Sequence, residues 1–209
     1  MQLPRIYPIT DTSISSLTHT EQVKLLLAGG ATFIQLREKN DSPRTLFADA
    51  AEALRTARAA GARLVINDRV DVALALGADG VHLGQTDIPV NVARRLLGNR
   101  AIIGYSTHNI NQAREALNLP IDYLAFGPIF DTKSKRNPDL VAGLDALRSV
   151  KAIVGRVPLV AIGGIDRTNI GEVLMAGANS AAIISAILSK PAEISENLRD
   201  LLDPVGETT

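Results

Sequence analysis

The sequence predicts an α/β protein, a single-domain TIM (β/α)8 barrel spanning residues 1–209, on three observations. Eight short β-type apolar runs take turns with eight segments of helical periodicity. The runs are apolar on both faces, as strands of a parallel sheet covered by helices must be. No G-x-G-x-x-G follows the first run, which makes an open doubly wound sheet the weaker alternative. With 209 residues, 46% of them hydrophobic, the chain can bury one good core and lies near the lower size limit for such a barrel. No Pro/Gly/Ser-rich linker or shift of composition divides it.

Each element has its own justification. The first strand run, 6–9, leads to a helix at 21–27 that Gly30 ends. The second, 33–36, leads to a helix at 43–59 opened by Pro43 and ended by Gly61. The third, 64–66, feeds a helix at 70–76 that stops at Gly77, and the fourth, 80–83, a helix at 90–97 after Pro89. Runs at 101–105 and 123–126 precede helical segments at 110–117 and 144–154. The seventh, 158–162, leads to 168–175, ended by Gly177, and the eighth, 180–184, to 192–201, opened by Pro191. Glycine supplies the left-handed residue that stops a helix, and proline tolerates the first helical position, where its missing N–H has no partner to lose.

Composition narrows the function. The 22 basic and 22 acidic residues leave no net field for nucleic acid or an anionic membrane, so any anion site must be local. An aromatic content of 3%, with no Trp, supplies base stacking poorly. The absence of cysteine excludes disulfides and thiolate metal sites and suits the cytoplasm. Residues 1–20 lack a basic segment followed by an apolar one, so no signal peptide is expected, and no run of about 18 apolar residues exists to span a membrane. The partners expected are small molecules. The oligomeric state is left open, a homo-oligomer included.

In a barrel of this kind the active site lies at the C-terminal ends of the strands, and there the sequence is polar. The second strand ends in Gln35-Leu36-Arg37-Glu38-Lys39, and alternation places Gln35, Arg37 and Lys39 on one face, an amide and two cations suited to a multiply charged phosphate. The third ends in Asn67-Asp68-Arg69 and the fourth in Gln85-Thr86-Asp87. Asp68 and Asp87, on adjacent strand ends, suit one Mg²⁺, which prefers a few carboxylates, waters and substrate phosphate oxygens. Taken singly they have plainer readings: Asp68 as an ion-pair partner of Arg69, Asp87 as the cap before Pro89. The fifth strand ends in Ser106-Thr107-His108, where a hydroxyl can donate to a phosphate and His108 is more often a loop or capping residue than a base. His82, within an apolar strand, reads as a satisfied core histidine, and His19 as a surface one. After the sixth strand, 131–138 has the make-up of a lid over an anion. Gly163-Gly164 after the seventh strand and Ser185 after the eighth form the usual phosphate cradle of the fold.

These motifs, read as Gln35 to Lys39, Ile66 to Arg69, Gly80 to Asp87, Gly127-Pro128-Ile129-Phe130, Lys135 and Gly163-Gly164-Ile165, closely resemble the thiamine phosphate synthase family over residues 7–188. The resemblance implies an Mg²⁺-dependent transferase that joins hydroxymethylpyrimidine pyrophosphate to thiazole phosphate, releasing pyrophosphate in a dissociative substitution. It implies that Gln35, Leu36, Arg37, Glu38, Lys39, Asn67, Ser106 and Lys135 bind the pyrimidine pyrophosphate, with Arg37, Lys39, Ser106 and Lys135 acting in catalysis. It implies that Asp68 and Asp87 hold the metal, and that Thr132, Lys133, Ser134, Gly164, Ile184 and Ser185 meet the thiazole phosphate. Two departures are visible where the family usually has Pro-Thr-x-Thr-Lys and this chain has Asp131-Thr132-Lys133-Ser134-Lys135: Ser134 keeps the hydroxyl and loses a methyl, and Asp131 adds a negative charge near the anion site. Three competitors keep parts of the pattern. They are a thiazole tautomerase, a non-catalytic barrel that binds thiamine phosphate, and a sugar-phosphate isomerase.

Overall fold

The computed structural model describes residues 1–132 and 140–203. Eight parallel strands, each hydrogen-bonded to the next in sequence, form a barrel closed by β1 pairing with β8. The strands are β1 (Ile6–Thr10), β2 (Phe33–Leu36), β3 (Arg63–Asn67), β4 (Gly80–Leu83), β5 (Ile102–Thr107), β6 (Tyr123–Phe126), β7 (Leu159–Ile162) and β8 (Ser180–Ile183). The helices are α1 (Thr12–Ser15), α2 (His19–Ala28), α3 (Pro43–Ala59), α4 (Val70–Leu76), α5 (Val90–Leu97), α6 (Ile110–Ala116), α7 (Gly143–Ile153), α8 (Ile170–Met175), α9 (Ser185–Leu188) and α10 (Ile194–Leu202), with a 3₁₀ turn at Pro191–Glu193. The predicted α/β barrel is therefore present, and α3, α4 and α5 begin and end where the periodicity put them. Three short pieces were not foreseen: α1, α9 and the 3₁₀ turn are three or four residues each, too short to show a period.

Local chemistry fixes the helix ends. Thr18 and Glu21 cap α2 reciprocally, each side chain meeting the other's backbone N–H. Ser42 caps α3, with Pro43 at its first position. Gly30, Gly61, Gly77 and Gly177 all carry the positive φ that breaks a helix before the next strand.

The apolar residues separate into two cores by strand alternation. One face of each strand packs against the helices, as Ile34, Leu36, Leu64, Ile66, Val81, Leu83 and Phe126 do. The other fills the barrel lumen, where Tyr7, Ile9, Phe33, Val65, Ile102, Tyr123 and Val160 meet. This parity carries through to the strand ends and decides which polar side chains reach the mouth. Among the described residues, no helix is long and apolar enough to cross a membrane.

Candidate active site

On β1 and β2 the lumen parity runs through Tyr7, Ile9 and Asp11, and through Phe33, Gln35 and Arg37. Asp11 and Arg37 accordingly meet at the rim as an ion pair. Asp11 also caps α1, accepting from the Ser13 N–H at 3.0 Å. Gln35 sits one layer deeper, buried, and donates to the Tyr7 hydroxyl at 2.8 Å.

Leu36 and Glu38 belong to the opposite parity. Leu36 is wholly buried between sheet and helices, so it can offer a ligand only its backbone. Glu38 turns away from the mouth and accepts from Thr12 Oγ1 at 2.7 Å and from the N–H groups of Lys39 at 2.7 Å and Asn40 at 2.6 Å. Burial alone would raise its pKa, but these hydrogen bonds outweigh burial and hold it down to about 2. Glu38 thus shapes the loop that presents Lys39. His19 completes that arrangement and corrects the sequence reading: it is fully buried, not on the surface. Its Nδ1 lies 2.7 Å from Thr10 Oγ1 and its Nε2 3.2 Å from Glu38. A carboxylate partner 19 positions away leaves no local signature, which is why the sequence missed it.

Asp68 follows β3 in a parity that would aim it at the helices. The backbone instead turns left-handed there, φ 61°, with the Asp68 N–H held by the His82 carbonyl at 2.8 Å and the Arg69 N–H by the Asn67 carbonyl at 2.7 Å. That turn returns the carboxylate to the mouth, where it pairs with Lys39. Arg69 pairs with Asp71, so the plainer reading of Asp68 as its partner does not hold. Nor does Asp87 cap α5; its carboxylate accepts from the Gly84 N–H at 2.7 Å, and α5 has no side-chain cap. Burial and the neighbouring Asp68 carboxyl, against the Gly84 hydrogen bond and Lys39, raise the Asp87 pKa. Two carboxyl groups thus share one small space, an arrangement that a hard divalent cation stabilises and that water alone does not. Among the described residues no third His, Cys, Asp or Glu joins them.

Ser106, on the lumen face of β5, places its hydroxyl 2.8 Å from His82 Nε2, and Gln85 donates to the Ser106 carbonyl at 2.6 Å. Asn67 ends β3 on the same face, nearly buried. His82 is the satisfied core histidine expected: its Nδ1 lies 2.9 Å from the Tyr123 hydroxyl, and burial lowers its pKa to about 4. His108 Nδ1 donates to the Gly127 carbonyl at 2.7 Å, a loop-holding role.

Across the mouth, Gly163 and Gly164 have φ of 102° and 63°. Gly164 lies so close to the 130–131 backbone that a Cβ there would fall 2.4 Å from the Asp131 carbonyl oxygen, so only glycine fits. Phe130 N–H bonds the Gly163 carbonyl at 3.0 Å, fastening the start of the polar loop to this glycine turn. Ile184 and Ser185 follow β8 directly, at the start of α9. Thr132 is at the end of the described stretch; Lys133, Ser134 and Lys135, and with them most of the expected lid, lie outside the described residues.

One end of the barrel therefore gathers Arg37, Lys39, Asn67, Asp68, Asp87 and Ser106 on one side and Gly164, Ile184 and Ser185 on the other. A family model described as thiamine monophosphate synthase matches residues 6–187. The chain belongs to the thiamine monophosphate synthase family. Curated members include a thiamine-phosphate synthase of Chloroflexus aurantiacus, 45% identical over 88% of this chain and 85% of its own length. Another, from Koribacter versatilis, is 44% identical over 97% of both chains. The solved thiamine phosphate pyrophosphorylase from Pyrococcus furiosus superimposes with a TM-score of 0.84 at 37% identity, covering 94% of this chain and 93% of that one. Sequence reasoning overlooked Asp11, Tyr7 and Tyr123; continuing the lumen parity of the first strand from Tyr7 to Asp11 is the signal that marks the first two.

Proposed function

We propose that this chain is a thiamine phosphate synthase, a transferase that joins hydroxymethylpyrimidine pyrophosphate to thiazole phosphate and releases pyrophosphate. The same reading takes residues 1–209 as one synthase-type barrel domain acting on small molecules in the cytoplasm. The observation that carries it is the carboxylate pair at the mouth, Asp68 turned inward by its left-handed backbone and Asp87 with its pKa raised, beside Lys39 and Arg37.

That donor set fits Mg²⁺, which Asp68 and Asp87 would hold. The ion, when bound, neutralises charge on the departing pyrophosphate. The chain's own residues do the rest. Lys39 rests on Asp68 through a half-exposed ion pair worth no more than about 1 kcal/mol, so it is readily given up to a phosphate oxygen. Arg37, oriented by Asp11, offers the remaining N–H groups of its guanidinium to the same anion. Ser106 donates its hydroxyl, and Asn67 and Gln35 bound the pocket beneath. Lys135 adds a further cation.

In the substitution the methylene–oxygen bond breaks with its electron pair leaving on pyrophosphate. The thiazole nitrogen then supplies the pair for the new carbon–nitrogen bond. No side chain forms a covalent bond; the protein contributes charge neutralisation and orientation. Orientation of the second substrate falls to Gly164, Ile184, Ser185 and the loop residues Thr132, Lys133 and Ser134, which hold the thiazole phosphate. The test is to mix purified protein with both substrates and Mg²⁺ and to follow thiamine phosphate after oxidation to fluorescent thiochrome. Product well above a no-enzyme control is expected; product equal to the control defeats the reading.

A further inference from the structure

A chain of five polar groups runs through the barrel lumen beneath the mouth. Gln35 Nε2 donates to the Tyr7 hydroxyl at 2.8 Å, which lies 2.7 Å from the Tyr123 hydroxyl. The Tyr123 hydroxyl lies 2.9 Å from His82 Nδ1, and His82 Nε2 lies 2.8 Å from Ser106 Oγ. Both phenols and the imidazole are buried, and the ring nitrogens of His82 meet two hydroxyls and no carboxylate, so each phenol and the imidazole carries one proton. The backbone makes room for the chain: a Cβ on Gly104 would fall 2.0 Å from Tyr123 Cζ and 2.5 Å from His82 Nδ1.

The arrangement of protons follows from counting donors. The Gln35 amide nitrogen can only donate, so Tyr7 accepts from it and has one proton to give. Its remaining partner is Tyr123, which therefore accepts and passes its own proton to His82 Nδ1. Nδ1 is then an acceptor, and the single ring proton stands on Nε2, donated to Ser106 Oγ. The Ser106 proton has no inward acceptor left. With the Gln35 amide nitrogen facing Tyr7, any other arrangement leaves a buried donor unmet, which costs more than the hydrogen bond itself contributes. We propose that this chain is polarised from Gln35 outward, making Tyr7, Tyr123 and His82 positioning residues that hold the Ser106 hydroxyl as a donor toward a pyrophosphate at the mouth. The choice of anion rests on the synthase reading; the polarity of the chain does not.

Two arms test it. The first is a long-range proton–nitrogen spectrum of the imidazoles of the full ¹⁵N-labelled chain at neutral pH, each histidine assigned by through-bond correlation to its backbone. His82 is expected as the Nε2–H tautomer. An Nδ1–H tautomer reverses the chain and overturns the proposal, and no variant has to fold for that answer. The second is calorimetric titration with pyrophosphate and Mg²⁺ of wild type, Ser106→Ala, Tyr123→Phe and the double variant. Tyr123→Phe is expected to weaken binding by roughly 3- to 10-fold, the scale of one misdirected hydrogen bond. Within the Ser106→Ala background it should change binding less than about 2-fold. Equal losses in both backgrounds would show that the phenol does not act through Ser106 and would overturn the positioning role. Wild-type protein that binds no pyrophosphate would sink the synthase reading and the choice of anion, while the tautomer arm still decides the polarity of the chain.

Discussion

Gly104→Ala adds a single methyl group, and the structure says where it must go. The new carbon would lie 2.0 Å from Tyr123 Cζ and 2.3 Å from its hydroxyl oxygen, in a wholly buried lumen layer. Those distances are far inside contact, and Tyr123 cannot step aside without entering Tyr7 and Phe33, whose rings pack against it edge-on at 5.9 and 6.3 Å. Overpacking of this kind costs about 1–3 kcal/mol. Displacing the phenol also leaves one of its partners, His82 Nδ1 or the Tyr7 hydroxyl, unmet, at about 1–3 kcal/mol for a buried group. The sum is roughly 2–6 kcal/mol, a large part of the 5–15 kcal/mol by which a domain is usually stable. For a chain of this size it corresponds to a fall in Tm of roughly 5–20 °C. Gly171→Ala makes the same chemical change inside α8, where nothing lies within 4 Å and the backbone is not left-handed. There the helical propensity of alanine should raise stability by about 0.5–1 kcal/mol. Urea unfolding of the two variants against wild type reads both numbers. If Gly104→Ala stays within about 1 kcal/mol of wild type, the tight approach of β5 to the lumen chain is not what the structure makes it.

Asp87→Asn removes a charge but keeps an acceptor for the Gly84 N–H, so turnover should fall about 100-fold or more, only partly recovered by excess Mg²⁺, while urea stability holds or rises. Unchanged turnover in the thiochrome assay would take Asp87 out of the metal site. His108→Ala should leave turnover within about 3-fold and lower stability by about 1 kcal/mol, the net value of its bond to Gly127. A loss of several orders of magnitude would revive the tautomerase or isomerase readings. For Glu38 the folded pKa, about 2, lies below its usual 4.5, so its stabilisation is complete above pH 4.5 and lost as pH falls toward 2. Discounted for the loop's partial solvation, it is worth about 1–2 kcal/mol. The stability gap between wild type and Glu38→Gln should therefore shrink between pH 6 and pH 3 in urea titrations, and a gap independent of pH would refute the assignment.

What the sequence disclosed follows the range of the forces involved. Barrel strands covered on both faces must be apolar throughout, so β2, β4 and β6 were legible to the residue. Alternation extended the reading to the mouth, which is why Gln35 and Arg37 fall on one face as expected, the lumen side. Features that depend on pairing across the barrel were not legible. His19 reads as a surface residue until Glu38 and Thr10 are seen around it, and Tyr7 and Tyr123 read as ordinary core aromatics although they are 116 positions apart and share a hydrogen bond. Asp68 is the instructive case. The sequence named it a metal ligand, yet strict alternation aims it the wrong way, and only the left-handed turn reconciles the two.

That turn bears on why the site exists at all. A non-glycine residue in the left-handed region costs on the order of 1 kcal/mol, less for Asp than for most, and glycine at position 68 would avoid it. The turn then delivers a carboxylate beside another, Asp87, and adds to burial in raising the Asp87 pKa. Neither step favours folding of the isolated chain: the first strains the backbone, and the second crowds like charges that Lys39 offsets only weakly from a half-exposed position. Two unfavourable features at one point of a mouth that is otherwise well satisfied are hard to explain as packing. They make sense together if a cation and a polyphosphate complete the site, because binding then returns the energy that folding spent there. The strain at Asp68 and the shift at Asp87 are, on this argument, two expressions of a single design, and a chain that lost the activity would be free to lose both.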